Sequence, residues 1–177
     1  TRHCDVEKND LVISNAGVLA QATHNVGDPQ VRHRGTIGGA VAHGDPASDI
    51  PSALLALKAT VVVRGPEGER EIKIEDFFTG FLETDLNDDE MLTEVRVPKL
   101  PNAKWSFQKF NRRAQDWAIV GASIVCDENH AGVGLVNMHS VPFRSEAVES
   151  ALLSGASAEE AGDLAAEGTE APSDLNA

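Results

Sequence analysis

Two groups of closely spaced strands constrain the fold of this chain more than any other feature of its sequence. Apolar alternation and β-branched runs predict strands over 60–64, 70–74, 90–97, 105–112, 117–126 and 132–139. Only a short helical turn, over 75–78, is predicted between strands of the same group. Parallel strands need a long crossover, so strands this close in sequence favour antiparallel pairing. The predicted fold class is therefore α+β with antiparallel or mixed sheets, and not an alternating βαβ fold.

Helices are predicted on both sides of this strand pattern. The first covers 15–26, where Ser14 can cap the start and Gly27-Asp28-Pro29 ends the helix. The others are predicted after Ser48 or Asp49, over 146–153, and over 158–166 with Ser157 as the cap. Two prolines close together, Pro98 and Pro101, mark a boundary. We therefore predict two domains, 1–100 and 101–177, and an extended tail over 170–177.

The composition excludes several classes of function. The chain has 177 residues and a net charge of −13, which disfavours binding to nucleic acid or to an anionic membrane through bulk charge. It has no apolar run long enough to span a bilayer. Two distant cysteines, Cys4 and Cys126, favour reduced thiols over a disulfide or metal site, and Trp105 and Trp117 are predicted to be core residues.

A glycine-rich stretch over 30–46 is the sharpest candidate site and is predicted to be a loop. At its centre, Thr36-Ile37-Gly38-Gly39 offers backbone N–H groups, a hydroxyl and glycines that permit positive φ, which suits a phosphate oxygen. Neither a dinucleotide-binding G-x-G-x-x-G motif nor a Walker loop is present. A purely structural turn remains an alternative, as does a capping role for Asp49 in place of a bond to a ligand hydroxyl.

Other chemistry receives little support from the residues. His33 and His43 lack a third metal ligand at workable spacing, and the G-x-S-x-G motif of many hydrolases does not occur. The run of Arg32, His33 and Arg34 beside the glycine-rich stretch reverses the local charge of an acidic chain. A second basic run begins at Lys109, which faces either a ligand or solvent.

The stretch over 27–39, followed by Asp45-Pro46-Ala47-Ser48-Asp49-Ile50-Pro51, resembles the FAD-binding subunits of molybdenum hydroxylases. The likeness is greatest to the medium, flavoprotein subunit of aerobic carbon monoxide dehydrogenase, with xanthine dehydrogenase flavoprotein subunits as near relatives. It continues through 77–80, 92–98 and 109–118 and covers essentially the whole chain. The chain resembles a fragment that lacks the family's N-terminal FAD subdomain, with its own glycine-rich loop, and the last C-terminal helix.

The resemblance implies the C-terminal part of a PCMH-type FAD-binding domain over 1–100, followed by a three-stranded antiparallel sheet with helices packed on it. It implies FAD as the cofactor, no metal and no catalytic residue on this chain. The cofactor-binding residues that it implies are Gly27, Thr36, Ile37, Gly38, Gly39, Ala40, Asp49, Leu92 and Lys109. Of these, Thr36 to Ala40 correspond to the diphosphate loop, and Leu92 and Lys109 to the residues beside the isoalloxazine. Position 40 holds Ala where the family often has Asn or Ser.

In such complexes an iron–sulfur small subunit and a molybdopterin large subunit are the partners, and electrons pass from [2Fe–2S] clusters through FAD to an external acceptor. The resemblance thus implies an oxidoreductase subunit, inactive alone, cytoplasmic or peripheral to the inner face of the membrane, in aerobic carbon monoxide oxidation. Two alternatives stay open. The chain belongs to a xanthine dehydrogenase-like or aromatic hydroxylase complex, or it is an interaction domain that has lost FAD.

Overall fold

The computed structural model describes residues 1–173. Within that range the helices are α1 (His3–Val6), α2 (Asp10–Asn15), α3 (Gly17–His24), α4 (Pro29–Arg34), α5 (Ile37–His43), α6 (Asp49–Ala56), α7 (Ile74–Phe77), α8 (Glu146–Leu153) and α9 (Ala158–Gly162). The strands are β1 (Thr60–Gly65), β2 (Gly68–Lys73), β3 (Phe78–Gly80), β4 (Glu83–Thr84), β5 (Met91–Arg96), β6 (Lys104–Phe110), β7 (Val120–Cys126), β8 (Ala131–Val136) and β9 (Phe143–Arg144). All strand pairs are antiparallel, which confirms the predicted fold class.

The predicted loop over 30–46 is wrong, because two short helices occupy most of it. The Asp28 carboxylate accepts the Val31 N–H and caps α4, which has Pro29 in its first turn. The Thr36 hydroxyl oxygen accepts the Gly39 N–H and caps α5, which ends at Gly44 with φ of +66°. The glycine pair thus lies in the first turn of a helix and not in an irregular loop.

The amino-terminal segment is also more divided than the sequence predicted. The predicted helix over 15–26 is α3, which begins only at Gly17, and the unpredicted helices α1 and α2 precede it. Ser14 lies inside α2 and does not cap α3, whose N-cap is Ala16. Asn9 caps α2 by accepting the N–H groups of Leu11 and Val12.

The first sheet has the strand order β2-β1-β5, with β3 and β4 forming a separate pair. The predicted strands of this sheet and the helical turn α7 are confirmed to within two residues. The central strand β1 buries Val61, Val62 and Val63, and its pairing with β5 shifts register between Val62 and Val63. One edge of β5 is therefore left without a strand partner in the described part of the chain.

The second sheet has four strands in the order β6-β7-β8-β9, where the sequence predicted three. The additional strand β9 has only two residues, too few to produce a period-2 pattern. Every residue of β8 is buried, because α6 and α8 both pack against it. On the α6 side, a Cβ added to Gly132 would lie 1.8 Å from the Ala56 carbonyl oxygen, so helix and strand touch through their backbones.

One apolar core joins the two predicted domains. Its buried residues extend from Val6 to Val125 and include most of α6, while β6 contributes Phe107. A second, smaller cluster lies between β8, α8 and α9. The helix α6 therefore stabilises the first sheet and the second sheet together. The family-based division at residue 100 remains a prediction.

Both tryptophans depart from the prediction that they belong to the core. Trp117 is 62% exposed and Trp105 is 44% exposed, with the indole of Trp105 covering Gly17 at the start of α3. At the carboxyl end, α8 matches its predicted range, and the capping box of Ser157 is present, although α9 ends at Gly162. The last four residues of the predicted tail, 174–177, lie outside the described residues.

Candidate cofactor site

A groove of about 750 Å³ lies between α2, α3, the start of α5 and the free edge of β5. The α5 side contributes Thr36, Ile37, Gly38 and Gly39, and the β5 side contributes Leu92 and the residues that follow it. The walls are mixed, with apolar side chains from α2 and α3 and exposed backbone from α5. Such a long, partly apolar groove suits a ligand with both a planar apolar part and a charged part.

The backbone donors at the start of α5 are almost all in use. The Ile37 N–H donates to the Thr1 carbonyl, the Gly39 N–H to the Thr36 hydroxyl oxygen, and the Ala40 N–H to the Thr36 carbonyl. Within residues 1–173, the Gly38 N–H has no partner. Because the Thr36 oxygen accepts a bond, its own hydrogen remains available to donate. The donors offered to a ligand are therefore the Gly38 N–H and the Thr36 hydroxyl.

Gly38 and Gly39 do not use positive φ, contrary to the conformational reason that the sequence suggested. Their remaining property is the missing side chain. A Cβ on Gly38 would lie 3.4 Å from Leu92 Cδ2, and one on Gly39 would lie 2.9 Å from the Thr36 hydroxyl oxygen. A side chain at Gly38 would therefore narrow the groove beside Leu92, and one at Gly39 would press on the α5 cap.

Asp49 and Lys109 form a buried ion pair away from the lining of this groove. The Lys109 ammonium donates to Asp49 Oδ2 at 2.8 Å and to the Asn25 carbonyl at 3.2 Å. Burial of the Asp49 carboxyl raises its pKa to about 6, although the neighbouring Lys109 charge acts in the opposite direction. The second oxygen, Asp49 Oδ1, is buried and has no partner within residues 1–173.

Gly27 lies in the turn between α3 and α4 with φ of +48°, a conformation that favours glycine. Arg32 fixes this turn, because its guanidinium donates to the Val26 carbonyl at 3.0 Å and to the Gly27 carbonyl at 3.3 Å. Glu7 completes the arrangement at 3.1 Å from Arg32 Nε. The sequence analysis singled out Arg32 for its charge but missed this anchoring role.

The structure therefore brings only part of the predicted set together. Thr36 to Gly39 and Leu92 share the groove, while Gly27, Ala40, Asp49 and Lys109 do not line it. Lys109 points neither at the groove nor at solvent, since its side chain is only 7% exposed and paired. The alternative in which Asp49 caps its own helix is not seen, because no side-chain cap bond is made at the start of α6.

No group of three or more His, Cys, Asp or Glu side chains in the described range is arranged to hold a metal ion. None of the helices over 1–173 is long and apolar enough to cross a membrane.

A second cavity of about 370 Å³ lies beside Trp117, Asp45 and Asn137, at the turn between β6 and β7.

The family of this chain follows from its similarity to known proteins. Residues 1–100 match the family model described as the FAD binding domain in molybdopterin dehydrogenase. The glyceraldehyde dehydrogenase medium chain of Sulfolobus acidocaldarius is 38% identical over 84% of this chain and 55% of its own length. The carbon monoxide dehydrogenase medium chain of Hydrogenophaga pseudoflava is 36% identical over 92% of this chain and 59% of its own length.

Solved structures show the same likeness across the whole chain. Carbon monoxide dehydrogenase from Hydrogenophaga pseudoflava superposes with a TM-score of 0.93, covering 99% of this chain and 64% of that one, at 36% identity. Quinoline 2-oxidoreductase from Pseudomonas putida 86 superposes with a TM-score of 0.87 at 28% identity. The chain thus spans somewhat more than half the length of the curated relatives that it matches.

The residues present fit FAD as the cofactor. A groove with an open glycine pair at a helix start and a free N–H suits a diphosphate, and a buried carboxylate oxygen without a partner suits a hydroxyl donor. Neither observation depends on the comparisons. The chain belongs to the FAD-binding domain family of molybdopterin dehydrogenases, which is the family of the FAD-binding medium subunits of molybdenum hydroxylases.

Proposed function

We propose that this chain forms part of the electron-transfer flavoprotein subunit of a molybdenum hydroxylase complex. Electrons from the [2Fe–2S] clusters of an iron–sulfur subunit reach FAD here and leave to an external acceptor, while substrate is oxidised on a molybdopterin subunit. The observation that carries this proposal is the open helix start at Gly38, where a free N–H and the Thr36 hydroxyl face a groove large enough for a dinucleotide.

The start of α5 provides the diphosphate site. The Gly38 N–H and the Thr36 hydroxyl donate to phosphate oxygens, and the partial positive charge of the helix start adds to their effect. The Ala40 N–H is already bonded to the Thr36 carbonyl, so it is not free to donate to a phosphate oxygen. The cap bond from Gly39 keeps the Thr36 oxygen in position and does not use the hydroxyl hydrogen.

We assign the remaining predicted residues to the ribityl and flavin parts of FAD, although of these only Leu92 lines the groove. Leu92 extends from β5 over the glycine pair and offers an apolar surface to a ring. The Gly27 turn offers backbone, and Asp49 offers an oxygen acceptor for a hydroxyl. Bound FAD supplies the redox chemistry, since a flavin exchanges electrons singly or in pairs. The protein residues supply binding, orientation and exclusion of water.

We propose carbon monoxide as the substrate of the complex, supported by the similarity to carbon monoxide dehydrogenase medium chains over 92% of this chain. The similarity to the medium chain of glyceraldehyde dehydrogenase and to quinoline 2-oxidoreductase favours an aldehyde or an aromatic heterocycle as the second candidate. The partners follow as an iron–sulfur subunit and a molybdopterin subunit, and the location that the family resemblance implies is the cytoplasm.

The test is to purify the complete medium subunit together with its two partner subunits. We expect one FAD for each medium subunit, and bleaching of the flavin absorbance band when carbon monoxide is added without an acceptor. Glyceraldehyde and quinoline in place of carbon monoxide distinguish the two substrate candidates. A folded complex without flavin would contradict the proposal and favour an interaction domain that has lost FAD.

A further inference from the structure

One face of α1 contacts both ends of the neighbouring helix α4. His3, the first residue of α1, and Glu7, its C-cap residue, lie four positions apart and therefore project from the same face. His3 is 4% exposed and the Glu7 side chain 6%. His3 lies against Gly35, which follows the last residue of α4, and Glu7 pairs with Arg32 of α4. His3 and Glu7 together form what we call the α1 brace.

At the carboxyl end of α4, the His3 imidazole fills the space that a side chain on Gly35 would need. A Cβ added to Gly35 would lie 2.6 Å from His3 Cδ2 and 2.8 Å from His3 Nε2. Gly35 has φ of −63°, which any residue adopts, so the contact with His3 and not the backbone conformation requires glycine there. Two backbone bonds join the same segments, from the His3 N–H to the Gly35 carbonyl and from the Ile37 N–H to the Thr1 carbonyl. His3 therefore fixes where the chain enters α5.

At the amino end of α4, Glu7 acts through Arg32. Glu7 Oε2 lies 3.1 Å from Arg32 Nε and forms an ion pair that lacks the alignment of a hydrogen bond. The Arg32 guanidinium donates to the carbonyls of Val26 and Gly27, in the turn that precedes α4. A buried guanidinium requires a counter-charge, and Glu7 supplies it. The α1 brace thus holds the Gly27 turn at one end of α4 and Gly35 at the other.

We propose that His3 and Glu7 are positioning residues for FAD, because they fix the distance between the Gly27 turn and the start of α5 before the cofactor binds. This inference rests on the proposed function, which assigns FAD contacts to both places. His3 does not line the groove, so it acts through Gly35 and not by touching FAD. Burial lowers the pKa of His3, so its imidazole is neutral at pH 7 and brings no charge of its own to the phosphate site.

Preorganisation is the physical reason for this effect. Two binding segments held at a fixed distance lose less conformational freedom when a ligand contacts both of them. The tight contact between His3 and Gly35 leaves little room for the entry to α5 to shift, so a change in its size moves the Thr36 hydroxyl and the Gly38 N–H together. Substitutions at this contact should therefore change FAD affinity although neither side chain binds FAD.

The test exchanges space between His3 and Gly35 in the complete, deflavinated complex, and measures the FAD dissociation constant from flavin fluorescence. Gly35→Ala places a methyl group against the imidazole, and we expect its FAD affinity to fall roughly tenfold or more. His3→Ala adds no atoms and should lose roughly three- to tenfold in affinity, because the entry to α5 is no longer held. The double variant His3→Ala, Gly35→Ala should bind FAD as well as His3→Ala alone, because the methyl group then occupies the vacated space.

Two controls separate positioning from general stability. Val148 is buried in the second apolar cluster, away from the groove, so Val148→Ala should melt at a lower temperature with an unchanged FAD dissociation constant. Gly162→Ala adds a methyl group that meets nothing within 4 Å and should change neither quantity by much. If Gly35→Ala fails to assemble, recovery of both assembly and FAD binding in the double variant demonstrates the same coupling.

Additive losses in the double variant, or wild-type affinity in Gly35→Ala, would overturn the inference. A loss of affinity in Val148→Ala as large as that in His3→Ala would also overturn it, because affinity would then follow stability alone. If the wild-type complex binds no FAD, the proposed function itself fails. A wild-type complex that binds FAD, together with additive variants, contradicts only the positioning role, so the two failures are distinguishable.

Discussion

Two pairs of glycines, one at the start of α5 and one in β8, serve opposite purposes although both lie in regular secondary structure. Added Cβ atoms on Gly132 and Gly134 would lie 1.8 Å and 2.0 Å from carbonyl oxygens of α6. An added Cβ on Gly38 would meet only Leu92 Cδ2, at 3.4 Å. In β8 the space that glycine leaves is filled by the protein, whereas at Gly38 it stays open and at Gly39 it is bounded by the Thr36 hydroxyl. Glycine therefore permits a backbone contact in β8, whereas at Gly38 it leaves space beside the groove.

The largest expected effect is a loss of stability when Gly132 or Gly134 of β8 is substituted. Gly132→Ala or Gly134→Ala would push α6 away from β8, and because α6 belongs to the shared core, we expect a loss of at least about 3 kcal/mol in the free energy of unfolding. Urea unfolding of the complete subunit measures this loss. Gly162→Ala is the matched control, since its Cβ meets nothing within 4 Å and its helix should be stabilised by roughly 0.5–1 kcal/mol. Equal stability of Gly132→Ala and Gly162→Ala would refute the backbone contact.

Substitutions at Gly38 and Gly39 should affect FAD binding more than stability. In the complete subunit, Gly38→Ala adds a methyl group at ordinary van der Waals distance in a helical conformation, so we expect stability unchanged or slightly raised. FAD content, measured from the flavin absorbance, should fall sharply, because the methyl group occupies the approach to the Gly38 N–H. Gly39→Val should also lose FAD, together with some stability, because its side chain presses on the Thr36 cap. Full FAD content in both folded variants would show that the diphosphate does not bind at the start of α5.

Asp49 is another residue that the protein leaves incompletely bonded, because its Oδ1 atom has no hydrogen-bond partner within residues 1–173. The Asp49 pKa, about 6, lies above its ordinary value of 3.8, so between these pH values the folded state binds more protons than the unfolded state. This residue therefore favours folding most at low pH, and that contribution is lost as pH rises through about 6. Without FAD, acidification from pH 7.5 to 5 should stabilise the wild type relative to Asp49→Asn by about 1 kcal/mol. If the difference in melting temperature between the two proteins were the same at pH 7.5 and pH 5, the Asp49 pKa would not be raised.

The sequence predicted the parts of the fold that depend on local patterns. The hairpin of β1 and β2 followed from a β-branched run and turn residues, and the structure confirms it, as it confirms the predicted range of α8. The glycine-rich stretch was mistaken for a loop, because low helix propensity outweighed two side-chain caps, at Asp28 and Thr36, that start helices there. Capping residues three positions before the bonded N–H groups were the signal that could have corrected it.

The candidate site was predictable in its residue types but not in its connections. Gly38 and Leu92 share a groove as the family resemblance implied, yet nothing local links Asp49 to Lys109, which is 60 positions away. Their pairing depends on how the second sheet packs against α6, and a contact of that range leaves no periodic signal. The prediction that Trp105 and Trp117 are core residues failed for a related reason. The size of a tryptophan favours burial, but tertiary packing decides which residues surround it.

The smallest expected effect concerns Thr36, which has a structural role as the cap of α5 and a proposed role in binding phosphate. Its oxygen accepts the Gly39 N–H, and its hydrogen remains free for a phosphate. Thr36→Ala removes both bonds, and we expect a loss of about 1 kcal/mol in stability together with weaker FAD binding. Thr36→Ser keeps both bonds and serves as the control. If Thr36→Ala lowered the melting temperature but left FAD affinity equal to that of Thr36→Ser, the hydroxyl would be a cap alone, and the diphosphate would depend on the backbone of Gly38.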